Sequence, residues 1–110
     1  MAISTTITLD NAIQEIIHRI VKIANPDKII LFGSTVRHPS QQANDIDLIV
    51  VKSGITHRRQ LAQQIYLGLH GILQSVDIIV ETPDRLERYK EYPAFIYKSA
   101  LAEGITIYGK

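Results

Sequence analysis

Apolar residues recur early in the chain at Ala12, Ile13, Ile16, Ile17, Ile20, Val21 and Ala24. They stand three or four positions apart, the spacing that lines one face of a helix. Thr5–Asp10 supplies helix-start chemistry and Asn25-Pro26 stops the helix, because proline lacks a donor N–H and disfavours helical dihedrals in the residue before it. The period then changes. Lys28–Phe32 is a short apolar run that ends at Gly33 and reads as a strand. Ser34–His38 predicts one or two helical turns broken by Pro39, Ser40–Asn44 a polar loop, and Ile46–Val51 a second strand. The nearly unbroken apolar character of that second strand predicts burial on both of its faces.

Further on, Leu61, Ile65, Leu69 and Ile72 mark one side of a helix over His57–Leu73. Val76–Val80 reads as a third strand and Pro83–Arg88 as the start of another helix. Tyr92–Glu103 reads as a last helix stopped by Gly104, and Ile105–Tyr108 as a fourth strand. The order α, β, short α, β, α, β, α, α, β predicts a small α/β fold, a mixed sheet of about four strands covered by helices. At 110 residues, one domain spanning 1–110 is expected.

Composition narrows the function classes. Hydrophobic content of 45% and charged content of 21% are those of an ordinary globular protein. A net charge of +1 provides no field for direct nucleic-acid or membrane binding. The absence of cysteine excludes disulfides, thiolate zinc sites and thiol catalysis. No apolar run approaches membrane-spanning length and Met1–Ser4 does not open a signal peptide, so a cytoplasmic location is expected.

The candidate chemistry lies in Gly33-Ser34-Thr35-Val36-Arg37, followed by Asp45-Ile46-Asp47. A strand-to-helix turn beginning Gly-Ser offers backbone N–H groups and a hydroxyl to an anionic triphosphate. Two aspartates at i and i+2 of a strand share one face. Carboxylates that close repel unless cations lie between them, and Mg²⁺ bridging enzyme and nucleotide phosphates resolves the repulsion. A blander reading makes one aspartate a loop-end cap and the other a surface ion-pair partner. Aspartate is depleted in strands, however, and Asp47 is embedded among Ile46, Leu48, Ile49 and Val50, where an unpaired carboxylate is costly. Asp45 and Asp47 are therefore read as metal ligands. Asp77 is the acid within the apolar run Ser75–Val80. It is read as a third ligand, brought beside Asp47 by strand pairing and able to help deprotonate an attacking hydroxyl.

Gly33 and Ser34 are read as the phosphate cradle, a role compatible with Ser34 acting as an ordinary N-cap. Arg37 has three readings: a triphosphate contact, a partner for an aspartate, or a solvated surface residue. His18, His57 and His70 fall on predicted helices without ligand-like partners, and His38 adjoins the polar loop. Arg58-Arg59 and the stretch Arg85–Lys90 read as solvated faces. Tyr89, Tyr92, Phe95, Tyr97 and Tyr108 suit either core packing or a protein-binding surface.

Gly33-Ser34-x-x-Arg37, Asn44-Asp45-Ile46-Asp47-Leu48 and Val76-Asp77 together resemble the polymerase-beta-type nucleotidyltransferase superfamily, and most closely its minimal nucleotidyltransferase (MNT) antitoxin branch. The similarity runs from about Asp27 to Tyr108 and includes the ending Leu101–Tyr108. The resemblance implies two Mg²⁺ ions held by Asp45, Asp47 and Asp77, and ATP as substrate, with its phosphates held by Gly33 and Ser34. It implies a HEPN-domain ribonuclease toxin as partner, with AMP transferred to a toxin tyrosine. Two positions depart from the pattern: His38 where glycine is common, and Asn44 where serine often precedes the first aspartate. Neither removes a ligand. Relatives that modify antibiotics carry extra segments to grip their substrate, so a partner is expected to supply the acceptor hydroxyl here. The alternatives are an antitoxin that neutralises by binding alone and a nucleotidyltransferase acting on a small molecule.

Overall fold

The computed structural model describes residues 9–37 and 45–109. The helix-start segment before Leu9, the loop Ser40–Asn44 and the departures His38 and Asn44 lie outside the described residues. The elements are α1 (Leu9–Ala24), β1 (Lys28–Phe32), α2 (Ser34–Arg37), β2 (Asp45–Val51), α3 (Arg58–Gly68), β3 (Ser75–Glu81), α4 (Pro83–Tyr89), α5 (Tyr97–Glu103) and β4 (Ile105–Gly109). The expected order of elements is the observed one.

The four strands form one mixed sheet in the order β3-β2-β1-β4. β1 runs antiparallel to both β2 and β4, while β2 and β3 are parallel. A parallel pair cannot close through a tight turn and needs a crossover, which α3 supplies.

Strand alternation sorts the core into two layers. Ile29 and Leu31 of β1, Ile46, Leu48 and Val50 of β2, and Ile78 and Val80 of β3 pack with α1 and α3. Ile30, Phe32, Ile49 and Val51 face the other way, against Tyr97 and Ala100 of α5 with Leu86, Tyr89 and Phe95 beside them. β2 is thus buried on both faces, as its apolar run predicts. On α1 the buried positions are Ala12, Ile13, Ile16, Ile20 and Ala24. Its end is set by Asn25, which takes a φ of 45°, a left-handed conformation that asparagine tolerates, and by Pro26.

Two helices are shorter than expected. α3 stops at Gly68, where Leu69 N–H turns back to both Ile65 and Tyr66 carbonyls, and Gly71 follows with a φ of 90°. Leu69 and Ile72 still reach the core, which is why their spacing imitates a longer helix. α5 begins only at Tyr97. Tyr92 and Phe95 instead form successive turns and stack with Tyr89, the Tyr89 and Phe95 ring centres lying 4.8 Å apart.

Candidate active site

The site begins where β1 ends. Gly33 has a φ of 84°, a left-handed conformation that costs other residues roughly 1–2 kcal/mol. Val36 and Arg37 N–H both donate to its carbonyl at 3.1 Å, which closes α2 directly after the strand. A Cβ on Gly33 would run into the Asp47 carboxylate, so glycine serves the turn and also leaves the Asp47 side chain its place.

Register does the rest. Phe32 of β1 pairs with Asp47 of β2, and Asp47 pairs with Asp77 of β3. The acid on the third strand therefore stands beside Asp47 on one rung, as the sequence reading expects. Asp45 lies two residues earlier on the same face of β2, exposed at the strand start. Thr35 is buried and donates its hydroxyl to the Asp45 carbonyl at 2.8 Å, fastening α2 to the start of β2.

The electrostatics follow from that crowding. Burial pushes the half-buried Asp47 carboxyl above the ordinary carboxylate range. The facing Asp77 and then Asp45 push in the same direction, while Arg37 pulls against them. Among the described residues, no three acidic or histidine side chains converge tightly enough to form a complete metal cage by themselves. Mg²⁺ does not require one: it binds through one or two carboxylates, with phosphate oxygens and water filling its other positions. Two facing, mutually repelling carboxylates with a third on the same face form an oxygen donor set of that kind.

An open cavity of about 240 Å³ lies over this rung. Gly33, Arg37, Asp47 and Asp77 line one side. Phe32 and Ile79 continue the sheet floor beside them, and Ile96, Ser99 and Ala100 on the α5 side make the facing wall. Ser34 and Asp45 stand next to these residues but outside the wall. Arg37 is bonded to Glu103 of α5 at 3.0 Å, an exposed ion pair that spans α2 and α5.

Several residues of this region escape a reading of the sequence. Thr35 carries a faint signal, as a β-branched hydroxyl residue directly after a Gly-Ser turn. The α5 wall carries none, since its small and apolar residues look like any helix. Arg58 and Arg85, expected on solvated faces, instead reach the buried Glu81 carboxylate at 3.4 Å and 2.9 Å. His18 and His70 are exposed, as expected, and His57 precedes α3 as its N-cap residue.

The profile of the family described as polymerase beta, nucleotidyltransferase matches residues 14–110. Among solved structures, a protein from Sulfolobus solfataricus described as a candidate nucleotidyltransferase is similar with a TM-score of 0.61 at 19% identity, over 90% of this chain and 78% of the other. A chain of a variant toxin–antitoxin complex, MntA-HpeT, has a TM-score of 0.56 at 20% identity, over 88% of this chain and 72% of its own. A chain of a toxin–antitoxin structure with AMP-PNP has a TM-score of 0.54 at 22% identity, over 88% and 73%. At these identities the likeness is one of fold. No curated protein sequence matches the chain. Among the described residues, no helix is long and apolar enough to cross a membrane.

Proposed function

The chain belongs to the polymerase-beta nucleotidyltransferase family, and from that premise we propose that it transfers AMP from ATP to a tyrosine hydroxyl of a partner protein, a HEPN-domain toxin, in a Mg²⁺-dependent reaction. The observation that carries this reading is the Asp47–Asp77 rung beside the Gly33 turn, facing an open cavity. The motif resemblance and the fold shared with toxin–antitoxin chains, one of them with AMP-PNP, support the partner and the nucleotide. The whole chain, 1–110, acts in this reading as one minimal domain.

Each residue then has a defined task. The turn at Gly33 and Ser34 presents N–H groups and a hydroxyl to the phosphates, and Arg37 adds a charge at the cavity edge. Asp45, Asp47 and Asp77 would hold Mg²⁺, which supplies charge neutralisation at the transferring phosphate. Asp77 also accepts the proton of the attacking hydroxyl, whose oxygen bonds to the α-phosphorus as the bond to pyrophosphate breaks. The open cavity leaves room for an acceptor from another chain.

Co-expression with a HEPN toxin encoded beside it, followed by intact-mass measurement of both proteins, tests the proposal. Mass added to the toxin in AMP-sized steps, lost on Asp47→Asn, is the expected result. An unmodified toxin that the Asp45→Asn/Asp47→Asn protein still neutralises would make occlusion the mechanism.

A further inference from the structure

Glu81 ends β3 as a fully buried carboxylate. It lies four residues beyond Asp77, on the same face of the strand. Four donors converge on it. The Tyr97 hydroxyl donates to Oε1, and Arg58 approaches the same oxygen at 3.4 Å. Arg85 Nε at 2.9 Å and the Thr82 N–H at 3.1 Å reach Oε2. One side chain thereby ties β3 to α3, α4 and α5.

Stability alone is a weak reason for such a cluster. Burying charge costs hydration that the partners only offset, and packed apolar residues are often at least as stable. What apolar packing lacks is direction. A hydrogen bond fixes where its two partners stand to within a few tenths of an ångström.

The element most affected is α5. Tyr97 in its first turn is held by Glu81, and Glu103 at its end holds Arg37 of α2. Ile96, Ser99 and Ala100, which form the cavity wall facing the carboxylates, lie along the same short segment. With a rise of about 1.5 Å per residue, a slip of α5 at Tyr97 is carried undiminished to Ser99 and Ala100. Burial and the Glu81 carboxylate hold the Tyr97 hydroxyl well above the usual phenol range, so it stays a donor throughout the physiological pH range.

We infer that Glu81 and Tyr97 are positioning residues for nucleotide binding: their hydrogen bond sets how far the α5 wall stands from the Asp47–Asp77 pair. The inference rests on the nucleotide reading of the cavity.

Titration calorimetry with ATP and Mg²⁺ tests it on the full chain. Tyr97→Phe keeps the ring and removes the hydroxyl. It should weaken ATP binding about tenfold, the equivalent of one lost hydrogen bond, with its circular dichroism spectrum unchanged. Arg85→Gln removes the α4 arm of the cluster but leaves Glu81 and its bond from the Tyr97 hydroxyl in place. It should bind within about threefold of wild type, whereas a purely structural role of the cluster would make its loss match that of Tyr97→Phe. Glu81→Asp keeps the charge for both arginines but draws the acceptor away from Tyr97. It should lose as much as Tyr97→Phe, and it replaces that variant if the latter does not fold. Wild-type affinity in folded Tyr97→Phe or Glu81→Asp overturns the inference, as does an Arg85→Gln loss equal to theirs. Failure of the wild-type protein to bind ATP would instead overturn the nucleotide reading of the cavity itself.

Discussion

Asp47 and Asp77 occupy one rung of the parallel β2–β3 ladder, side by side on the sheet face that opens into the cavity. Nothing between them in sequence forces this, since α3 and its turns intervene. The pairing register alone turns two isolated strand acids into a pair of carboxylates. A single-residue slip of β3 would carry Asp77 to the opposite face, among the apolar residues that pack on α1 and α3. The apolar alternation of Val76, Ile78 and Val80 into that layer is therefore also what aims Asp77.

The rung should make the cation-free protein less stable as pH rises. Asp47 has its folded-state pKa raised, chiefly by burial and then by Asp77. A raised carboxyl contributes stability that is fully present below the unfolded value and is lost as pH climbs through the folded one. Asp47→Asn should therefore match wild type only at about pH 3 and below, and melt a few degrees higher at pH 7. Mg²⁺ should close part of that gap by stabilising wild type alone. Thermal melts of both proteins across pH, with Mg²⁺ or with EDTA, give the comparison. A gap that widens toward acid would contradict the assigned crowding.

Gly33 and Ser34 should differ sharply in tolerance. Gly33→Val adds a left-handed branched residue and drives its Cβ into the Asp47 carboxylate. A loss of roughly 2–4 kcal/mol in urea unfolding is expected, the sum of dihedral strain and overpacking. Ser34 is the first residue of α2 rather than its cap, so Ser34→Ala should change stability by no more than about 0.5 kcal/mol while weakening ATP binding several-fold. Equal effects of the two changes on stability would argue against the left-handed turn and the close Asp47 side chain at Gly33.

Thr35 should influence the site without lining it. Thr35→Val preserves shape but removes the hydroxyl that donates to the Asp45 carbonyl, at a net cost of about 1 kcal/mol. The freed strand start should then lower Mg²⁺ affinity, whereas Thr35→Ser, which keeps the donor, should retain it. Mg²⁺ titrations of the two variants, read by melting temperature, distinguish a hydrogen-bond effect from a packing one.

How much of this was legible depends on the range of the interactions. β1 falls on Lys28–Phe32 as expected because its signals are local, an apolar run with Gly33 beyond it. Asp47 announces itself as an acid within an apolar strand. Glu81 satisfies the same criterion, but a strand expected to end at Val80 leaves it outside. Its arginine and tyrosine partners come from α3, α4 and α5, and only the packed fold brings those helices to one point. Register and helix docking are non-local, so the cavity's apolar wall is not written in any single stretch of the chain.

Arg37 and Glu103 provide the final test, because their pairing competes with the role proposed for the arginine. Both side chains are about half exposed, and such pairs contribute only about 0–1 kcal/mol. The contact is therefore weak enough to be exchanged for a stronger charge. A triphosphate at the cavity edge offers several anionic oxygens to a guanidinium that can bind them in pairs. Arg37→Gln should thus weaken ATP binding by roughly ten- to a hundredfold, about the value of one charge-assisted hydrogen bond. Glu103→Gln removes the competitor and should tighten ATP binding about two- to threefold, with a stability change within about 0.5 kcal/mol. Calorimetry on the two single variants and the double variant decides the matter. If Glu103→Gln weakens binding as much as Arg37→Gln, the intact pair rather than the released arginine is what the nucleotide needs, and Arg37 is a strut between α2 and α5 instead of a phosphate contact.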